Sequence, residues 1–126
     1  MKKTSKRKFG DKGENLVTEY LRKEGFVISA RNYSCRYGEI DIVAENNELI
    51  LFVEVKTRSE KSAEYIKPYE SVNGAKQQRI IATAEYYIVS NRVLLQPRFD
   101  VAEVVVLGDD FKTATLNYIE NAFGGF

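Results

Sequence analysis

Among its 126 residues the chain has no histidine and one cysteine, Cys35. Without histidine there is no Ser-His-Asp triad, no HExxH zinc site and no histidine-ligated haem. One thiol builds neither an internal disulfide framework nor a multi-thiolate zinc site. A single cysteine suits a reducing compartment, so a cytoplasmic location is expected. With no histidine to activate it, Cys35 reads as a small loop or strand side chain rather than a nucleophile. No apolar run approaches the ~18 residues of a helical membrane span, so no membrane role is expected. Any metal must be held by oxygen, which points to Mg²⁺ or Mn²⁺ rather than zinc.

What is present suits one globular domain. The length is that of a single domain, and 44% hydrophobic with 29% charged residues argues against wholesale disorder. The net charge of +1 conceals an asymmetry. Residues 1–8 carry Lys2, Lys3, Lys6, Arg7 and Lys8 and no acid. Removing these five from the 19 basic residues leaves 14 against 18 acidic ones, a body charge of −4. A basic arm on a mildly acidic body recurs in nucleic-acid binders, although a solvated terminus has the same composition. The arm does not read as a signal peptide, because Phe9-Gly10-Asp11-Lys12 stands where an apolar core belongs. The expected organisation is a flexible arm at 1–8 and one domain over 9–126.

The hydrophobic pattern predicts a helix over about 9–24, with Leu16, Val17, Tyr20 and Leu21 as its stripe and Gly25 as its C-cap. A short strand at 26–30 and a polar, irregular stretch at 31–36 follow. Residues 39–44 and 49–55 read as a β-hairpin around Asn46-Asn47. A charged, proline-containing connection spans 59–73. A second helix over about 75–89 carries Ile80, Ile81, Ala84 and Ile88; a strand at 98–107 and a short element at 116–123 complete the chain. Strands apolar on both faces sit centrally under helices on each side. The expected class is α/β, a mixed central sheet flanked by helices in the order α-β-β-β-α-β with a further strand at the end.

Charges interrupt the hairpin. Strand side chains alternate, so Glu39, Asp41 and Val43 are expected on one face and Ile40 and Ile42 on the other. Phe52, Glu54 and Lys56 share a face of the partner strand. If Asn46-Asn47 is a two-residue turn, Asp41 opposes Phe52 and Glu54 is its diagonal neighbour, within reach of a shared cation. Buried paired carboxylates are unfavourable without compensation, which a divalent ion and a lysine would supply. A structural ion triad, or charges at strand ends reaching solvent, would give the same spacing.

Asp41, twelve intervening residues and then Glu54-Val55-Lys56 resemble the D-x(n)-E-x-K signature of the PD-(D/E)xK nuclease superfamily. More narrowly, Gly13-Glu14, Arg31-Asn32, Gly38-Glu39-Ile40-Asp41, Phe52-Val53-Glu54-Val55-Lys56-Thr57-Arg58 and Arg98-Phe99-Asp100-Val101 are similar to the YraN family of bacterial predicted endonucleases. Ile40 stands where the superfamily name has proline; that position shapes the strand and supplies no ligand. The resemblance implies a restriction-endonuclease-like core and metal-dependent hydrolysis of DNA phosphodiesters, with branched or damaged DNA as one substrate class. Asp41 and Glu54 would be ligands of Mg²⁺ or Mn²⁺, with the Val55 carbonyl as a third oxygen, and Lys56 would align or activate water. Glu14 resembles the first-helix acid of archaeal Holliday-junction resolvases, which joins the metal site; the macrodipole also favours an exposed acid near a helix start. Arg58, Lys76 and Arg79 are candidate phosphate contacts beside Lys6, Arg7 and Lys8 of the arm. Asp100 is expected to pair with Arg98 or a nearby base. The active form would be a monomer or a homodimer. The alternative is a nucleic-acid-binding module on a nuclease fold whose activity is weak, lost or partner-dependent, including an intact site that needs 59–73 ordered by a partner.

Overall fold

A computed structural model describes residues 5–60, 72–108 and 113–124; most of the 59–73 connection, at 61–71, and Lys2 and Lys3 of the arm lie outside the described residues. Helix α1 (Ser5–Lys23) is followed by strands β1 (Val27–Cys35), β2 (Gly38–Glu45) and β3 (Leu49–Ser59), helix α2 (Gly74–Ser90), and strands β4 (Gln96–Val106) and β5 (Ala114–Phe123). The strands lie side by side in the order β1-β2-β3-β4-β5. Neighbours are antiparallel except β3 and β4, which are parallel and joined through α2. The expected mixed α/β sheet with a helix on each face is what forms.

Two apolar layers hold it together. Ile80, Ile81, Ala84 and Tyr87 of α2 pack with Val43, Ile50, Phe52, Phe99 and Val101 on one face. Val17 and Leu21 of α1 pack with Ile42, Leu51, Val53, Ala102 and Val104 on the other. Leu16, expected in the α1 stripe, is instead exposed, and Thr18 is buried in the helix's inner face. Helix α1 stops at a Schellman turn: Phe26 N–H donates to Leu21, Gly25 N–H donates to Arg22, and Gly25 takes φ +94°.

Several boundaries differ from expectation for identifiable reasons. Helix α1 starts at Ser5 rather than Phe9, so Lys6, Arg7 and Lys8 belong to its first turns. Lysine and arginine are good helix formers, and nothing between Ser5 and Phe9 breaks the helix. The polar stretch at 31–36 is not irregular; through Cys35 it continues edge strand β1, where β2 satisfies its backbone. The uncertain final element is strand β5, antiparallel to β4. The hairpin turn is displaced by one residue. Asn46 Oδ1 accepts from the N–H groups of Glu48 and Leu49, and Asn46 N–H donates to Leu49, so Asn47-Glu48 forms the tip. The register becomes Ile42 with Val53 and Glu45 with Ile50, which brings Asp41 level with Glu54 rather than with Phe52.

Candidate active site

The site forms where β2 and β3 part. Their pairing ends at Ile42–Val53. Beyond it the Asp41 carboxylate takes over as acceptor, receiving the Val55 N–H at 2.7 Å. The strict alternation expected of β2 also fails here, because Ile40 packs on the α2 face and Ile42 on the α1 face. Opposite this break the neighbouring strand is irregular as well. Asn32 stands between Arg31 (paired with Ile42) and Tyr33 (paired with Ile40), and it takes the left-handed φ of +51°. Asparagine tolerates that conformation better than most residues, and one such residue within a strand re-aims its neighbours.

Glu54 is buried at 8% exposure and lies on β3 among apolar residues. Two ammonium groups meet the same carboxylate oxygen. Lys76 Nζ is 2.7 Å from Glu54 Oε1, and Lys56 Nζ is 3.4 Å from it. Lys56 arrives from two residues along the strand. Lys76 comes from the first turn of α2, whose start is fixed by the Asn73 side chain accepting from the Lys76 N–H at 3.0 Å.

Glu14 approaches from α1. Arg31 Nη2 is 3.4 Å from Glu14 Oε1, Arg31 Nη1 donates to Asn15 at 2.7 Å, and Asn32 hydrogen-bonds Glu14. The preceding residue must be glycine: a Cβ at Gly13 would collide with the Thr57 side chain, so α1 lies directly against β3 just past Lys56. The Gly13-Glu14 and Arg31-Asn32 pairs thus act together, one seating the helix and the other fixing the acid it presents.

The electrostatics follow from this crowding. Burial pushes the Asp41 carboxyl up to about 7, helped by the negative charges of Glu54 and Glu14 and opposed by the Val55 N–H and Lys76. Burial likewise raises Glu14, against the hydrogen bonds and charge of Arg31 and the hydrogen bond from Asn32. The two lysines diverge. Burial and the neighbouring Lys76 lower Lys56, with Glu54 opposing. Burial works against Lys76 too, but its hydrogen bonds to Glu54 and Lys56 and the Glu54 charge hold it above the usual lysine range.

This stretch of chain has recognisable kin. The model of the uncharacterised protein family UPF0102 matches residues 13–104. The chain belongs to that family. A UPF0102 protein of Caldanaerobacter subterraneus is 42% identical over 124 residues, covering 98% of this chain and all of the relative. One from Clostridium acetobutylicum is 45% identical over 118 residues, covering 93% and 94%. A UPF0102 protein of Myxococcus xanthus is 38% identical over 119 residues, covering 94% and 90%.

In this UPF0102 chain Glu14, Asp41, Glu54 and Lys56 come together as expected, joined by Lys76, which the sequence offers only as a phosphate contact. Arg58 is 3.8 Å from Glu103, the β4 residue level with Lys56. Arg79 is exposed on α2. Asp100 stays apart: Arg98 Nε and Nη2 grip it at 2.9 Å each, with Tyr118 and Asn121 completing its partners. Cys35 ends β1, its sulfur accepting from the Tyr37 N–H, a structural position. The roles of Arg31, Asn32 and Glu103 had no clear sequence signal beyond the Arg31-Asn32 pair itself.

Among the described residues no three carboxylate or thiol side chains form a ready-made metal cage. The donor chemistry nevertheless suits Mg²⁺ or Mn²⁺. Mg²⁺ is commonly held by one or two carboxylates, with water and substrate phosphate supplying the rest. Asp41 and Glu54 are such a pair, and the Val55 carbonyl lies on the same strand segment.

Proposed function

We propose that this protein is a divalent-metal-dependent DNA endonuclease, acting in the cytoplasm as a monomer or a homodimer. The observation that carries the reading is the crowding of Asp41 against buried Glu54 at the strand fork, with Lys56 beside them. A fold gains little stability from crowding a half-buried carboxylate against a buried one, since their repulsion and desolvation oppose folding. Such groups are a frequent feature of sites that bind cations and move protons. The D-x(n)-E-x-K spacing and the wider likeness to the YraN and PD-(D/E)xK nucleases support the same reading.

Asp41 and Glu54, with the Val55 carbonyl, would hold Mg²⁺ or Mn²⁺. When bound, the ion would neutralise phosphate charge and acidify a water molecule. The chain's own groups do the rest. Glu54 orients Lys56, whose lowered proton affinity suits it to take a proton from, or align, the attacking water. Glu14, clamped by Arg31 and Asn32, adds a third negative group beside Asp41. Lys76, Arg58 and Arg79, with Lys6, Arg7 and Lys8 at the start of α1, are the candidate contacts to the DNA backbone.

A panel of duplex, single-stranded, flap and four-way DNA, incubated with Mg²⁺, Mn²⁺ or EDTA, tests this. Cleavage of at least one substrate that EDTA abolishes is expected. A wild type that binds DNA but cuts nothing on the panel would favour the binding-module alternative.

A further inference from the structure

Glu54 Oε1 is contacted by two lysine side chains at once, at 2.7 and 3.4 Å. The two are not equivalent. Lys56 projects from the interior of β3, and its reach is set by the strand. Lys76 makes the shorter contact, 2.7 Å, from the first turn of a helix on a four-carbon stem, and its side chain is the more exposed, 32% against 25%. Its backbone is pinned by Asn73, so the stem can swing without disturbing α2. A divalent ion shared by Asp41 and Glu54 would bring a second cation to the carboxylate whose Oε1 Lys76 already contacts. An ammonium and a divalent cation on one carboxylate repel in a half-buried setting. Of the two lysines, Lys76 has the more exposed side chain and so the freer path to solvent.

We propose that Lys76 is the site's internal substitute cation: it neutralises Glu54 until a divalent ion displaces it, and the released ammonium then meets the substrate phosphate. This rests on the nuclease reading of the same residues. It gives Lys76 two successive partners, a carboxylate and then a phosphate, where the sequence suggested a phosphate alone. It also gives buried Glu54 a compensating charge before any metal arrives, because an uncompensated carboxylate there would be costly.

Calorimetric titration of the full chain with MgCl₂ or MnCl₂ alone tests it without recourse to cleavage. Lys76→Met keeps the apolar stem and removes the competing charge, so it should bind the ion about three- to tenfold more tightly than wild type, the scale of losing one partly screened ion pair. Lys76→Arg keeps the charge and should remain close to wild type. In wild-type protein, the side-chain NMR signal of the Lys76 εCH₂–NH₃⁺ group should move in step with ion binding, a measurement independent of any variant. Equal or weaker affinity in Lys76→Met, or a Lys76 signal indifferent to a saturating ion, would overturn the exchange while leaving the metal site standing. No heat in any of the three proteins, together with no change of the Lys76 signal in wild type, would instead remove the metal site, and the exchange with it.

Discussion

Asp41 and Asp100 sit in the same sheet, the first half-buried and the second completely buried, and they are treated in opposite ways. Asp100 is completely buried and saturated: the Arg98 guanidinium grips both carboxylate oxygens, and the Tyr118 hydroxyl and Asn121 N–H supply two more donors. The ion pair raises Arg98, and burial together with the Asp100 charge raises the Tyr118 hydroxyl well above the usual range, so each partner keeps its proton. Among the described residues Asp41 accepts from the Val55 N–H and is pressed by Glu54 and Glu14. The more deeply buried carboxylate is the better partnered one, so it is the partners that mark Asp100 as structural and leave Asp41 reactive. Asp100 ties β4 to β5, whereas Asp41 is left wanting a cation.

The largest expected effect lies on the unsaturated side. Under the nuclease reading, Lys56→Ala should lower single-turnover cleavage by about 10²–10⁴-fold, roughly 3–5.5 kcal/mol of barrier, with DNA affinity much less changed. Cleavage at the wild-type rate by a folded variant would make Lys56 structural and erase the contrast with Arg98. On the saturated side, Asp100→Ala should cost about 2–4 kcal/mol of folding free energy in urea titrations, because it leaves a half-buried guanidinium, a tyrosine hydroxyl and a backbone N–H without their shared acceptor. A loss below ~1 kcal/mol would mean that Asp100 is as loosely held as Asp41.

The legible part of this pattern was what strand periodicity carries. Glu54 and Lys56 are two apart on an otherwise apolar strand, so their shared face could be read directly. Asp100 could be matched to Arg98 by the same two-residue spacing. Three things could not be read. The turn is closed by the side chain of Asn46, and adjacent asparagines give no means of choosing between two tips. Ile40 and Ile42 pack on opposite faces of the sheet, a break in alternation that nothing along β2 announces. The contact of Lys76 with Glu54 depends on how α2 docks after a long connection, which no local pattern specifies. Periodicity places residues on faces; the partners they meet there come from packing.

A pH series on metal-free protein sharpens the contrast at smaller energies. The folded-state pKa of Asp41, about 7, lies above its ordinary value of 3.8. Between the two the folded protein holds a proton that the unfolded chain has released, so stability should fall as pH rises from about 4 to about 7. Asp41→Asn should flatten that fall and, near neutral pH, stabilise the metal-free protein by about 1–3 kcal/mol. It should also weaken Mg²⁺ or Mn²⁺ binding in calorimetry. Identical slopes for wild type and variant in this window would mean that Asp41 is better compensated than its neighbours imply.

The smallest effect tests whether saturation at Asp100 contains redundancy. Tyr118→Phe removes only a hydroxyl that donates to Asp100 at 2.6 Å and leaves the ring against Tyr20. A hydrogen bond to a charged group is worth about 1.5–3 kcal/mol, but the same carboxylate oxygen still receives Arg98 Nη2 at 2.9 Å. The expected cost is therefore at the lower edge, ~1–1.5 kcal/mol, read from the urea midpoint with unchanged slope. Divalent-ion affinity should not move, because Tyr118 serves the other aspartate. A loss of about 3 kcal/mol would show that Arg98 alone cannot hold Asp100, making the tyrosine a full member of the ionic lock between β4 and β5. A change in ion affinity would couple the two regions and end their separation.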